Sequence, residues 1–348
     1  MNPALEKESE EAMDILKVAR RARVSTATVS RAINRFPGIR PKTLARVQKT
    51  IAELNYIPNP NARNLRIGRT RLYGLIVSDV NNPFFPELID AFEALAGAQG
   101  IDVIFTHTNY DRERLRKCMR RMVERGVDGI AVMTSEVDEE VLQQTVKSGV
   151  PIVLMNQQKL ASVYPNVQVD YTAGFREALD HLLEFGHRDI GFITGPQTLN
   201  SARRRQSAFQ AALRAHGLHV RSEWIALGDM RVEGGHAAMK TLLACSPRPT
   251  AVLAANDLMA VGALQAAGEA KIHVPRDLSL IGFDDIPIAN MVHPPLTTIR
   301  HPRDEVAARA FAWLQQTQQH KETPTAPALQ PHLVIRKTTA VAPERRKA

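Results

Sequence analysis

The sequence of 348 residues contains no run of about 18 apolar residues, the length that a helix needs to cross a bilayer. Residues 1–13 are acidic and polar, and they contain no apolar segment like that of a secretion signal. We therefore expect a cytoplasmic protein that makes no membrane contact. Hydrophobic residues still make up 44% of the chain, which is enough to fill the cores of two or three domains.

Cysteine is also scarce. Cys118 and Cys245 lie far apart in segments that we predict to be helical, so the sequence indicates neither a disulfide framework nor a cysteine metal cluster. We expect two buried thiols. The eleven histidines are scattered without H-E-x-x-H or any other ligand spacing. The sequence therefore predicts no metal site and no cofactor.

Signatures of catalysis are missing as well. Glycines near predicted strands, in GFITGP and VGALQAAG, form neither a G-x-G-x-x-G fingerprint nor a P-loop with its lysine. The chain also lacks the G-x-S-x-G elbow of hydrolases. We predict that the protein is not an enzyme.

Positive charge is concentrated in the first fifth of the chain. Residues 1–71 contain 15 Lys/Arg and 6 Asp/Glu, whereas the remainder contains 30 of each. The whole net charge of +9 therefore belongs to the N-terminal segment. Such an asymmetry indicates a module that binds a polyanion, joined to a body without net charge. A solvated basic face without a partner is the alternative.

The basic segment has the pattern of an all-α helix-turn-helix domain over residues 14–58. In DILKVARRARVSTATVSRAIN, apolar residues at helical spacing stop near Arg23 and resume after Ser25, which is a good N-cap. The tight turn falls at Arg23, and an arginine tolerates a positive φ poorly, so we expect a strained turn. A third helix in RPKTLARVQKTIAELNY closes a small core with Leu44, Val47, Ile51 and Leu54.

In such modules the second helix enters the major groove, and its early residues contact base edges. By position, Thr26, Ala27 and Arg31 are predicted to read bases, with Arg31 the favoured guanine contact and Ala27 limited to contact with a thymine methyl or to shape. Four further residues are predicted to contact phosphates or to pack: Ser25, Thr28, Ser30 and Asn34. Simple solvation of each polar residue is the alternative.

From Leu72 onward, short apolar runs alternate with amphipathic stretches. We predict strands in LYGLIVS, IDVIFTH, VDGIAVM, PIVLMN, RDIGFIT, TAVLAAN and DLSLIGFDD, and helices in PELIDAFEALAGAQG, ALDHLLEFGH and DLMAVGALQAAGEAKI. This alternation predicts parallel sheets with crossover helices, and about 270 residues are enough for two such lobes.

The stretch VSTATVSRAIN, followed by LNYIPNPNARNLR, resembles the lactose-repressor and galactose-repressor family of bacterial transcription regulators. The resemblance implies that residues 59–71 form a hinge helix and linker, ordered on operator DNA, from which Leu65 is pushed between base pairs as an apolar wedge. The hinge residues that it assigns to DNA contact are Asn59, Ala62, Arg63, Leu65 and Arg66. The alternative is a flexible linker. Residues 1–13 lie outside the resemblance, and we expect a disordered acidic tail there.

Residues 72–340 resemble the family's two-lobed effector and dimerisation domain, which is similar in fold to periplasmic sugar-binding proteins; residues 341–348 would be a tail. The motifs are NNPFF, GHRDIGFITGP, SARRRQSAF, AANDLMAVGAL, VPRDLSLIGFDD and PPLTTIRHP. The effector-binding residues that they imply are Asn82, Phe84, Phe85, Ser201, Arg205, Met230, Asn256 and Asp284. Purely structural roles are the alternatives: core packing for Phe85, helix capping for Asn256 and a turn for Asp284.

Three functional hypotheses follow. The first is a homodimeric repressor that binds double-stranded operator DNA under the control of a sugar or sugar derivative. In the second, a regulator of the same family responds to a nucleobase or nucleoside; purine-responsive members carry an arginine at the position of Leu199, which counts against it. The third, a sugar receptor that does not bind DNA, leaves residues 14–71 without a purpose.

Overall fold

The computed structural model describes residues 15–33, 37–56, 69–134, 136–155, 160, 163–318 and 326–344. It divides into two compact units, Met1–Thr70 and Arg71–Ala348. Several predictions concern residues outside the described ones: the acidic tail over 1–13, Asn34, and the hinge residues Asn59, Ala62, Arg63, Leu65 and Arg66.

The first unit contains three described helices: α1 over residues 15–21, α2 over Thr26–Ile33 and α3 over Pro41–Glu53. Proline begins α3, where its missing N–H breaks no helical hydrogen bond. The helices bury a common core of Val18, Ala19, Ala22, Val29, Ala32 and Val47. The prediction for Leu54 was wrong: α3 ends at Glu53, and Leu54 follows as the C-cap with 37% of its surface exposed.

The second unit has two lobes, each built on one sheet. The first-lobe sheet has the order β2-β1-β3-β4-β5 and is parallel throughout. Its strands are β1 Leu72–Val77, β2 Asp102–His107, β3 Gly129–Met133, β4 Ile152–Met155 and β5 Asn166–Val167. Its helices are α4 Phe84–Gly97, α5 Arg112–Glu124, α6 Glu139–Lys147 and α12 Arg303–Gln318.

Side chains of the first-lobe sheet alternate between two cores. Leu75 and Val77 of β1 belong to a cluster that includes α4 and α12, whereas Ile76 belongs to a second cluster with α5 and α6. Successive residues of a strand point to opposite faces, so both faces of this sheet are covered by helices. Burial on both sides explains why the inner strands β1, β3 and β4 appear in the sequence as continuous apolar runs.

The second-lobe sheet has the order β11-β10-β9-β8-β6-β7, with β11 antiparallel to β10 and the other pairs parallel. Its strands are β6 Ile190–Thr194, β7 Ile225–Leu227, β8 Ala251–Ala254, β9 Ser279–Asp284, β10 Thr297–Arg300 and β11 His332–Val334. Its helices are α7 Tyr171–Glu184, α8 Asn200–Ala215, α9 Val232–Leu243, α10 Asp257–Glu269 and the short α11 Ile288–Met291.

Helices α9 and α10 pack backbone to backbone. A Cβ atom at Gly262 would lie 1.9 Å from the carbonyl oxygen of Val232, and one at Gly235 would lie 2.1 Å from that of Met259. Glycine is therefore required on both sides of this contact. The contact fixes the start of α10, and with it the position of Asn256 at the end of β8.

The predicted fold class is confirmed, and all seven predicted strands are present. The strands β5, β7 and β11 were not predicted because they have only two or three residues, too few for a periodic signal, and β10 (TTIR) was not predicted because it is mostly polar. Cys118 is buried in α5 as expected, but the prediction for Cys245 was wrong, since it lies beyond the end of α9 and is partly exposed.

Candidate functional site

The turn between α1 and α2 closes with a helix-ending motif that normally uses glycine. Val24 N–H donates to Ala19 O at 3.0 Å, Arg23 N–H donates to Arg20 O at 3.2 Å, and Arg23 has φ +50°. This is the Schellman pattern, with the left-handed residue just after the helix. The predicted positive φ at Arg23 is therefore present, and an arginine adopts it.

Helix α2 begins as the sequence predicts. Ser25 Oγ accepts a hydrogen bond from the Thr28 backbone N–H at 3.2 Å, so Ser25 caps the helix. With Val29 and Ala32 in the core, the far side of the helix exposes Ala27 and Arg31. Ser25 is also exposed, while three of the predicted contact residues are half-buried: Thr26, Thr28 and Ser30. The structure therefore leaves a small, polar and cationic helix face; the DNA contacts themselves stay a prediction.

A cavity of about 50 Å³ lies between the two lobes of the second unit. It is at the carboxyl ends of strands from both sheets, where open α/β sheets bind ligands. All eight residues predicted to bind the effector line it, namely Asn82, Phe84, Phe85, Ser201, Arg205, Met230, Asn256 and Asp284. The structure thus brings the predicted set together, and its ligand role stays a prediction.

Five lining residues were missed: Ser78, Tyr110, Met155, Tyr171 and His301. The sequence contained a signal for Ser78 and Met155, which stand at the carboxyl ends of the predicted strands β1 and β4. Tyr171 and His301 follow segments that cross between the lobes, and no local pattern marks such residues.

The centre of the cavity is a buried ion pair. An Arg205 Nη atom donates to Asp284 Oδ1 at 2.8 Å, and these side chains are 8% and 3% exposed. The same guanidinium donates to Ala255 O and lies 4.1 Å from the centre of the Phe283 ring. Burial raises the pKa of Asp284, and the neighbouring Arg205 guanidinium opposes that rise. Each of the two charges is therefore stabilised by the other.

The side chain of Asn256 forms two hydrogen bonds with the backbone. Its Oδ1 accepts from Met259 N–H at 2.9 Å, which caps α10, and its Nδ2 donates to Met230 O at 2.9 Å. The alternative role of a helix cap is therefore present in the structure. One N–H of Nδ2 and one lone pair of Oδ1 remain for a ligand.

Aromatic rings form the first-lobe wall of the cavity. Phe84 and Phe85 are buried, with ring centres 5.0 Å apart in an edge-to-face arrangement. Asn82 Oδ1 accepts from Phe84 N–H at 3.1 Å and thereby fixes the start of α4. Tyr110 also lines the wall. Burial, Asp79 and Glu136 raise the pKa of its hydroxyl, so this group is neutral.

The described residues contain no group of three His, Cys, Asp or Glu side chains that could hold a metal ion. Within the same residues, no helix is long and apolar enough to cross a membrane.

Comparison with known proteins decides the family. Residues 14–59 match the model of bacterial regulatory proteins of the lacI family, and residues 179–339 match the periplasmic binding protein-like domain. The chain is 35% identical to the HTH-type transcriptional repressor PurR of Pectobacterium carotovorum over 333 residues, which covers 94% of this chain and 97% of that protein. The chain belongs to the lacI family.

Solved structures of lacI-family regulators agree with the fold. A lac repressor dimer bound to operator and the anti-inducer ONPF superposes with a TM-score of 0.83 at 27% identity, covering 93% of this chain and 98% of that chain. A complex of the regulator CelR with cellobiose gives a TM-score of 0.70 at 28% identity, with coverage of 93% and 99%. This lacI-family member is a DNA-binding transcriptional repressor and not an enzyme, which excludes the receptor without DNA binding.

Proposed function

We propose that this repressor binds a near-palindromic operator as a homodimer in the cytoplasm, and that a small uncharged effector in the interlobe cavity sets its DNA affinity. The similar lac repressor structure is a dimer on its operator, and a two-fold dimer is what places two recognition helices on successive major grooves. The proposal that an effector binds rests on the cavity and its buried ion pair.

The charges around the cavity favour an effector without negative charge. Arg205 is the one Lys or Arg side chain among the described lining residues, and Asp284 already neutralises it. The buried carboxylates of Asp79 and Glu136 lie close enough to raise the pKa of Tyr110. An anionic ligand would therefore meet repulsion without a free counter-ion. Sugar phosphates and sugar acids are disfavoured on this ground.

The first candidate class of effector is a nucleobase. The HTH-type transcriptional repressors named PurR match nearly the whole chain at 35% identity, and this similarity favours a nucleobase effector over a sugar. A planar heterocycle can stack on Phe84 or Phe85 while its polar edge meets Arg205 and Asp284. The relatives thus give this alternative more support than the sugar that we preferred from the sequence.

The second candidate class is a sugar. The similar CelR structure holds cellobiose, and Leu199, 6% exposed, occupies the position where purine-responsive members are expected to carry arginine. Sugar hydroxyls would pair with Asn256, Asp284 and Ser201, and an aromatic side chain would cover the ring.

Isothermal calorimetry separates the two classes. Guanine, hypoxanthine, D-ribose and cellobiose are titrated into the full-length protein, with ribose 5-phosphate as an anionic control. We expect one uncharged class to bind and the phosphate not to bind. Tight binding of the phosphate alone would contradict the charge argument.

Two arginines connect the lobes and suggest how the effector acts. Arg303 of α12 pairs with Glu87 of α4 at 2.6 Å within the first lobe, and it also donates to Asp284 O at the end of β9 in the second. Arg231 of the second lobe lies 3.8 Å from Asp79 of the first. An effector that bridges the lobes would shift their relative orientation and thereby order or disorder the hinge segments. The coupling free energy between effector binding and DNA binding would be about 1–3 kcal/mol. Release of DNA on effector binding is the direction that we propose.

Leu65→Ala tests the wedge predicted from the sequence; Leu65 lies outside the described residues. We expect roughly tenfold weaker operator binding and less DNA bending, because burying a leucine side chain is worth about 1.5–3 kcal/mol and unstacking offsets part of this. Fluorescence anisotropy and a gel bending assay measure the two effects. Effector affinity should stay unchanged. Equal bending by variant and wild type would refute the wedge.

A further inference from the structure

His301 occupies a position that joins the two lobes. It follows β10 of the second lobe and precedes α12, which packs on the first-lobe sheet. Its ring lies 4.8 Å from that of Phe84 in the first lobe, and 6.2 and 6.4 Å from those of Tyr171 and Phe283 in the second. A ligand that forms a hydrogen bond with this ring would therefore be connected to residues of both lobes.

The imidazole of His301 is buried without a complete set of partners. The residue is 2% exposed and lines the cavity, yet no atom of the described residues forms a hydrogen bond with its Nδ1. Arg205 Nε, in the same cavity lining, also has no hydrogen-bond partner among these residues. A buried polar atom without a partner costs stability, and such atoms are rare in folded proteins. Here two of them border one cavity.

The charge state of His301 determines what Nδ1 can do. Burial, with help from Arg205 and Arg303, holds the pKa of His301 well below its ordinary value, so the ring is neutral near pH 7. A neutral imidazole carries one N–H donor and one acceptor nitrogen.

We propose that His301 is a specificity-determining effector contact, in the tautomer whose Nδ1 accepts a hydrogen bond from a hydroxyl or ring N–H of the ligand. The inference rests on the proposed function and narrows it, because the effector must offer a donor to His301 and an acceptor to Arg205 Nε. Since the ring lies 4.8 Å from that of Phe84 and 6.2 Å from that of Tyr171, a hydrogen bond to it links the ligand to both lobes and couples recognition to their orientation.

The binding test compares three proteins. Calorimetry uses guanine, hypoxanthine, D-ribose and cellobiose with the wild type, His301→Phe and His301→Asn. We expect His301→Phe to weaken binding of the probe that the wild type accepts by roughly 5- to 100-fold, because a ligand donor then stays unpaired. His301→Asn, whose amide lies near the position of Nδ1, should recover most of the affinity. Equal affinity of His301→Phe and wild type would show that solvent meets Nδ1 and would overturn the proposal.

A stability test does not need the ligand. In the ligand-free protein, His301→Phe should raise the Tm by about 2–4 °C, because it removes an unpaired buried nitrogen and keeps the ring contacts. His187 is the matched control: it is fully buried, but its ring bonds Thr250 Oγ1, Ser279 Oγ and Ala340 O at 2.9–3.0 Å. His187→Phe should lower the Tm.

The two tests separate the inference from the function on which it rests. A fall in Tm for His301→Phe as large as that for His187→Phe would mean that Nδ1 already has a hydrogen-bond partner in the ligand-free protein, and the inference would fail. If no probe binds the wild type, the proposed effector classes fail instead, and the Tm comparison still decides whether Nδ1 is unpaired.

Discussion

Arg205→Met is expected to lower the free energy of unfolding by about 3–5 kcal/mol, because it leaves the carboxylate of Asp284 buried and unpaired. The side chain of Asp284 is 3% exposed, so water cannot replace the guanidinium. Methionine keeps much of the apolar contact with Phe283 and removes only the charge and the donors. Urea unfolding followed by circular dichroism measures the change, and the variant should also lose binding of any effector that calorimetry identifies.

The loss should depend on pH. Burial already raises the pKa of Asp284 above its unfolded value, and removal of Arg205 raises it further. A carboxyl whose folded pKa is raised favours folding when protonated, so stability falls as pH rises from the unfolded to the folded pKa. The penalty of Arg205→Met should therefore be smaller at pH 5 than at pH 8. A penalty that does not change with pH would contradict the ion pair as its source.

The double variant Arg205→Met/Asp284→Asn is the control. It removes both charges, so most of the lost stability should return while effector binding stays absent. A double variant as unstable as Arg205→Met would show that packing, and not the unpaired charge, causes the loss.

Arg31→Ala is expected to reduce operator affinity by about 2–6 kcal/mol per dimer, since each bidentate guanine contact is worth about 1–3 kcal/mol and a dimer makes two. Arg31 is exposed on the last turn of α2, so its loss should leave the fold of the first unit intact. Anisotropy titrations at fixed salt measure the effect.

Arg31→Lys separates base reading from charge. Lysine keeps the positive charge but lacks the planar fork, so it should retain the salt dependence of binding while losing discrimination at one base pair of each half-site. Lys49→Ala, on an exposed part of α3, is the matched control for a lost cation. If Arg31→Ala and Lys49→Ala weaken all duplexes equally, Arg31 contacts phosphate and not a base.

The sequence predicted those features that local chemistry decides. Ser25 was recognisable as a cap, and Asn256 and Asp284 stand where apolar strands end, so they could be placed at the carboxyl edge of a sheet. Tyr171 and His301 could not be placed in this way, because they reach the cavity only through the crossing of the chain between lobes. Leu54 fits the helical period of α3, but the helix ends one residue earlier.

The size of the interlobe cavity has a kinetic consequence. A space of about 50 Å³ holds only a few water molecules, whereas sites for small organic ligands measure about 300–1,000 Å³. A ring compound does not fit a space of this size, so we expect each arrival and each departure to wait for the lobes to part. The rate at which the effector binds would then be set by the frequency of that opening and not by diffusion. A bound effector would stay in the cleft through brief falls in its concentration.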